Sequence, residues 1–234
     1  MKQPGYLDYL YLDTGALYRA VTWAALDRAI PIDDEAAVAQ LAQTLDIAVT
    51  PATADAGRPR DVDRPLDDGR PTDDDGRQYT VRVAGQDITW AIRAPEVDAA
   101  VSPVSAYPGV RIALTERMRE IAARGRVVMV GRDIGTVVIP DADLKLYVIA
   151  SDEARAARRQ LEMQDKGKAT TYADVLDNIR TRDKIDSGRE AAPLRAAPDA
   201  ILFDNTDYTI EEMLEAVEKL INEHYKLNRS QLFS

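Results

Sequence analysis

Three short segments carry side chains able to handle phosphate: Asp13-Thr14-Gly15 with Arg19, then Gly131-Arg132-Asp133, then Arg180, Arg182, Asp186 and Arg189. Guanidinium forks at loop and helix ends bind phosphate oxygens bidentately. Carboxylates among them hold the arginines in place or accept bonds from a base or ribose. The chemistry this suits is recognition of a small phosphate ester. Arg182, Asp186 and Arg189 are spaced by four and three, one stripe of a helix unless Gly188 stops it first. Arg155, Arg158 and Arg159 fall at i, i+3 and i+4, a positive face near a helix start. Ser151 to Arg195 holds ten basic and nine acidic residues, a local charge of +1 in a chain of net charge −10. That reversal suits an anionic ligand, and surface helices laced with ion pairs have the same composition.

Composition removes other chemistries. The 234 residues contain no cysteine and one histidine, His224, which argues against disulfides, thiolate zinc sites and Ser-His catalysis. His224 lies late on a terminal helix and reads as a surface or boundary residue. Asp73-Asp74-Asp75-Gly76 lacks the alternating spacing of a calcium loop, and Trp23 and Trp90 read as packing residues. The net negative charge repels nucleic-acid backbones and anionic membranes, and no apolar run approaches the roughly 18 residues of a membrane span. A cytoplasmic protein with no nucleic-acid or membrane partner is expected.

The elements that must position these residues follow from periodicity. Tyr9 to Leu12 reads as a strand that ends at Asp13-Thr14-Gly15 and opens a helix over Ala16 to Arg28. A second helix covers Glu35 to Leu45. Ile47 to Val49 and Tyr79 to Val83 read as short strands, with a turn at Ala84 to Asp87. Between them, Pro51 to Gln78 is a polar excursion rich in Asp, Arg, Pro and Gly, expected to be a mobile loop. A helix from Pro108 to Arg124 stops at Gly125. Val127 to Val130 reads as a buried strand, and Leu144 to Ile149 as another. Helices are expected from Asp152 to Lys166 and from Tyr172, the latter capped by Thr171 with Asp174. A last strand covers Ala200 to Phe203. A terminal helix capped by Thr209 and Glu212 should bury Ile210, Leu214, Val217 and Ile221. The order predicts an α/β protein with a parallel sheet flanked by helices, which places ligands at strand ends facing glycine loops.

Asp13-Thr14-Gly15-Ala16-Leu17-Tyr18-Arg19, Gly131-Arg132-Asp133-Ile134-Gly135-Thr136-Val137-Val138 with Pro140-Asp141-Ala142, and Arg182-Asp183 followed by Asp186 and Arg189 closely resemble the bacterial cytidylate kinases. Ser102, ahead of Tyr107-Pro108 and Arg111, fits the same pattern, and the likeness runs in order from about Tyr9 to the terminal helix. The resemblance implies ATP-dependent phosphorylation of CMP and dCMP to CDP and dCDP, with Mg2+ carried as its ATP complex. It implies a nucleoside-monophosphate-kinase fold, a P-loop kinase fold with an acceptor-domain insert and a lid. Residues 1–46 and 94–150 would be core, 47–93 the monophosphate-binding insert with its polar loop 51–78, 151–190 the lid and acceptor-site helices, and 191–234 the closing core strand and helix. Residue by residue, Thr14 and Arg19 match positions that meet the acceptor phosphate and its surroundings, and Ser102 a contact to cytosine. Arg111, Arg132 and Asp133 match further acceptor-site positions. Arg182 and Arg189 match the group on the phosphate and sugar, with Asp186 the partner of a sugar hydroxyl. Arg155, Arg158 and Arg159 match the lid. Arg132, Asp133, Arg182 and Arg189 are the expected catalytic group, no residue is named as a metal ligand, and a monomer is implied.

Two departures from the family pattern stand in the sequence. The chain contains no Gly-x-x-x-x-Gly-Lys-Ser/Thr loop, and in the family that loop and its strand lie ahead of the segment matching Tyr9. The expected fold is therefore the family's with its first strand and P-loop absent. Val130 stands where the family commonly carries an acid. The alternative reading is a non-catalytic CMP-binding remnant, inactive without that loop, and a kinase for UMP or AMP is a third.

Overall fold

A four-residue strand, β1 (Leu10–Asp13), runs into a thirteen-residue helix, α1 (Gly15–Asp27), with Thr14 alone between them. The turn is sharp because the Asp13 carboxylate accepts from Gly15 N at 3.0 Å, an Asx-type contact that substitutes for a strand bond. The computed structural model describes residues 9–51, 77–165, 170–187 and 194–231. The chain divides into two units, residues 1–134 and 135–234. The 51–78 excursion lies outside the described residues except at Pro51, Arg77 and Gln78.

In the first unit, α1 is the centre of the core. Eight of its residues are buried, Ala16, Leu17, Tyr18, Ala20, Val21, Thr22, Ala24 and Ala25, and a helix apolar on nearly every side belongs inside. Its alanines admit close neighbours: α2 (Glu35–Thr44), a 3-10 turn at Ala91–Arg93, and α3 (Pro95–Ala106) all pack on it. α1 stops where Ala29 turns left-handed at φ 53°, with Ile30 N returning to Ala25 O at 2.8 Å, a Schellman-type close. Asp34 caps α2 by accepting from Ala37 N at 3.0 Å. α2 crosses α4 (Pro108–Ala123) so closely that a Cβ at Gly109 would stand 2.6 Å from the Ala39 Cβ. Proline occupies the first turn of both α3 and α4, where no helical N–H is needed. α3 is a helix that the sequence analysis did not include, and it carries Pro103 in its interior.

Strands β2 (Ile47–Pro51), β3 (Tyr79–Val83) and β4 (Gln86–Asp87) form an antiparallel meander. Ala84 and Gly85, at φ 48° and 82°, make the two-residue left-handed turn that matches strand twist. α4 ends as expected, at Gly125 with φ 74°. β5 (Val127–Val130) then pairs parallel with β1, Leu10 opposite Val127 and Asp13 opposite Val130. The expectation of a wholly buried β5 is corrected: Val128 and Val130 are about half exposed. Among the described residues β5 pairs only with β1, and Val128 and Val130 stay open on one face.

The second unit is thinner. After a single π-type turn at Ile134–Val138, β6 (Leu146–Ile149) pairs parallel with β7 (Ile201–Asp204), Leu146 opposite Ile201. Helices α5 (Asp152–Asp165) and α6 (Tyr172–Ser187) pack on each other. The cap of α6 is as read, with Asp174 N donating to the Thr171 hydroxyl at 3.2 Å. α7 (Ile210–Gln231) opens on a reciprocal box: Glu212 N donates to the Thr209 hydroxyl at 3.2 Å and Thr209 N to the Glu212 carboxylate at 2.9 Å. Its expected burial fails. Ile210 and Leu214 are 70% and 60% exposed, while Val217 and Ile221 are half-buried, because a two-stranded sheet offers too little apolar face to cover a long helix. The parallel pairing is as expected, each unit holding one two-stranded parallel ladder among the described residues.

Candidate acceptor and lid sites

The carboxyl ends of β1 and β5 bring the first two motifs together. The Thr14 hydroxyl, buried, donates to Val130 O at 3.0 Å, and Thr14 N donates to the same carbonyl at 3.0 Å. This locks the two strand ends and explains Gly131, where an added Cβ would fall inside the Thr14 hydroxyl and the Ile134 side chain. Asp133, two residues on, is buried. Its Oδ2 accepts from Arg111 Nη2 on α4 at 2.5 Å, with the two side chains 11% and 15% exposed. Arg111 Nη1 also donates to Ser105 O at 3.2 Å, and the guanidinium stands 5.9 Å over the Tyr18 ring. Arg111 is thus fixed from three sides, by α1, by α3 and by the loop after β5.

Arg19, one residue after Tyr18, donates through Nη1 to Ile92 O at 3.1 Å and pairs with Asp98 at 2.6 Å. Ser102 is exposed on α3, its carbonyl accepting from the Ser105 hydroxyl at 2.9 Å. Arg132 is exposed beside Asp133. Reading the sequence missed the neighbours that hold these groups, Tyr18, Asp98 and the Ser105 carbonyl, since no short-range spacing links them to their partners. It also missed a cluster at the edge of the meander. Arg93 donates to the Tyr79 hydroxyl at 3.3 Å, Tyr79 stacks tilted on Tyr11 at 6.1 Å, and Arg93 lies 5.7 Å from the Trp90 ring. Burial first, then the Asp13 charge, pushes both tyrosine hydroxyls above their ordinary pKa.

The third motif and the expected lid lie in the second unit. Arg155 Nη2 donates to Asp152 and to Asp183 on α6, each at 2.5 Å. Arg180 reaches back from α6 to Asp152 at 3.2 Å and to Glu153 at 2.9 Å. The bond to Asp183 first, and that to Asp152 after it, push the Arg155 pKa further up. Asp152 is held below the ordinary carboxylate range by Arg155 and then Arg180. Arg158 reaches the loop after β7, donating to the Asn205 side chain at 3.1 Å and to the carbonyls of Asn205, Thr206 and Tyr208 at 2.6, 3.1 and 3.3 Å. Arg159 pairs with Glu162 at 3.0 Å. Arg182 and Asp186 belong to α6, but their side chains, and all of Arg189, lie outside the described residues.

Elsewhere in this unit, a cavity of about 420 Å³ is lined by Gly135, Lys145, Arg195 and Asp199. Its lysine is neutralised by both Asp199 oxygens, at 2.7 and 2.8 Å, and donates to Pro140 O. Among the described residues no cluster of three or more His, Asp or Glu side chains is placed to hold a metal ion, and no helix is long and apolar enough to cross a membrane.

Comparison with known proteins gives these residues a family. The sequence model of cytidylate kinase matches residues 5–223. A cytidylate kinase of Herpetosiphon aurantiacus is 43% identical over 213 residues, 91% of this chain and 83% of that protein. One of Bacillus licheniformis is 39% identical over 216 residues, 92% of this chain and 85% of that protein. A bifunctional pantoate ligase/cytidylate kinase of Synechococcus is 41% identical over 92% of this chain and 36% of its own length. With the family's model covering nearly the whole sequence and relatives of this identity along more than nine-tenths of it, the chain belongs to the cytidylate kinase family.

Proposed function

We propose that this protein transfers the terminal phosphoryl group of ATP, as its magnesium complex, to CMP and dCMP, giving CDP or dCDP and ADP. The observation that carries the reading is the Arg111–Asp133 pair, held at 2.5 Å at the carboxyl end of β5 and mostly buried. Cytosine presents an amino donor beside ring acceptors, and a fixed carboxylate next to a fixed guanidinium offers the complement of both. Ser102 adds a hydroxyl on the same side of the reading. Arg19, Arg132, Arg182 and Arg189 are assigned to the acceptor phosphate, with Thr14 at the strand end and Asp186 on a sugar hydroxyl.

The reaction asks for no nucleophilic side chain. An acceptor phosphate oxygen attacks the terminal phosphorus, the bond to the ADP oxygen breaks, and the charge that spreads over the transferring group is met by arginines and the substrate's magnesium. Arg155, Arg158 and Arg159 are assigned to a lid that closes over the donor and excludes water. In domain terms, residues 47–93 form the monophosphate-binding insert, 151–190 the lid with the acceptor-site helices, and the remainder the core. We place the enzyme in the cytoplasm as a monomer, which light scattering on the purified protein checks.

The test is ADP release by the purified protein with CMP, dCMP, UMP and AMP. Turnover with the cytidine nucleotides and little with AMP is expected. CMP binding without turnover would establish the remnant reading instead. Arg182→Ala and Arg189→Ala should raise the KM for CMP far more than Arg155→Ala, whose loss should fall on kcat. Equal losses at all three positions would remove the division between acceptor and lid.

A further inference from the structure

Arg155 is over-determined at one nitrogen and unsatisfied at another. Its Nη2 donates to both Asp152 and Asp183 at 2.5 Å, while its Nε is buried and has no hydrogen-bond partner among the described residues. The Arg155 side chain is nonetheless 34% exposed, so part of it stays open to a ligand while Nη2 is clamped. The restraint is also networked. The second oxygen of Asp152 accepts from Arg180, and Arg180 also bonds Glu153, so the first turn of α5 is tied twice to α6. Asp183 sits directly after Arg182 and three residues before Asp186.

We propose that Asp183 is a positioning residue: with Asp152 it fixes the Arg155 guanidinium so that the exposed part of that side chain meets an oxygen of the donor phosphates, coupling α5 to the helix that carries Arg182 and Asp186. This rests on the kinase reading above. Asp183 touches neither nucleotide in this account and acts through Arg155. Removing its carboxylate lets the arginine swing away, which should slow phosphoryl transfer without disturbing the acceptor.

The experiment is steady-state ADP release with CMP, at saturating and varied concentrations, for the unaltered protein, Asp183→Ala, Asp183→Glu, Arg155→Ala and the Asp183→Ala/Arg155→Ala double variant, each with a thermal melt. Asp183→Ala and Arg155→Ala should each lower kcat about tenfold with the KM for CMP within about twofold. The double variant should be no slower than Arg155→Ala, and Asp183→Glu should recover most of the rate. Asp183→Asn, which keeps the shape and an acceptor oxygen, stands in if the alanine variant does not fold. Additive losses in the double variant overturn the proposal, as does a rise in KM for CMP at unchanged kcat. So does wild-type kcat in Asp183→Ala, which sinks this role alone. Failure of the unaltered protein to phosphorylate CMP sinks the kinase reading and this proposal with it.

Discussion

Arg111 in the first unit and Arg155 in the second are each clamped by carboxylates at 2.5 Å, yet their surroundings differ. Arg111 and Asp133 are 15% and 11% exposed, with an aromatic face and a backbone carbonyl closing the remaining sides. Arg155 and its partners are each about a third exposed. In the first case little water reaches the pair, so losing either member removes a mostly buried, charge-assisted bond. In the second, solvent screens the charges, so each bond adds little to stability and the restraint rests on the number of partners. The same residue types therefore make a rigid, mostly buried clamp in one unit and a solvent-screened clamp in the other.

The largest expected effect lies in the apolar packing, which should divide the same way as the two clamps. In urea denaturation Leu17, fully buried on α1, should lose about 2–5 kcal/mol on change to alanine, whereas Leu214, exposed on α7, should change stability by no more than about 0.5 kcal/mol. Breaking the rigid member of that comparison comes next. Arg111→Ala should destabilise the protein by about 1.5–3 kcal/mol by removing a mostly buried, charge-assisted bond to Asp133, against less than about 1 kcal/mol for Arg155→Ala, both read by urea denaturation. Comparable losses would show that burial does not separate the two clamps. Salt sharpens the contrast further. Raising ionic strength to about 1 M shortens screening to about 3 Å, so protease cleavage within α5 and α6 should accelerate while cleavage within α1 and α4 should not.

The smallest effects are at the ends of the pH scale. Asp152 is held below its ordinary pKa, so the stability from its charged form is present above about pH 4 and lost as pH falls through the folded value. Tyr79 is raised, so the stability from its neutral form is present below about pH 10 and lost as pH rises through the folded value. Melting temperature against pH should flatten at the acid end in Asp152→Asn and at the alkaline end in Tyr79→Phe.

Much of the local structure was legible because its causes span few residues. The Thr171–Asp174 and Thr209–Glu212 caps, the left-handed stop at Gly125 and the Ala84–Gly85 turn all appear where the sequence put them. α3, which carries Pro103 in its interior, was not read from the sequence. Burial of α7 was misjudged for another reason. Periodicity identifies an apolar face but says nothing of what covers it, and Ile210 and Leu214 are open. Among the site residues, Thr14, Arg19, Arg111, Arg132 and Asp133 were named from their motifs, while Tyr18, Asp98, Asp152 and Asp183 were passed over as partners.

By itself, the sequence determined the order of strands and helices apart from α3, most of their caps and stops, the exclusion of thiol and most histidine chemistry, and the likeness to one kinase family. These rest on residue type and on interactions within about four positions along the chain. The tertiary structure alone decided which carboxylate holds which arginine. Arg111 meets Asp133 across 22 residues and Arg155 meets Asp183 across 28, and such pairings form only where packing brings distant segments together. It also decided that the first clamp is mostly buried and the second about a third exposed, because burial depends on everything packed around a group and not on its neighbours in sequence.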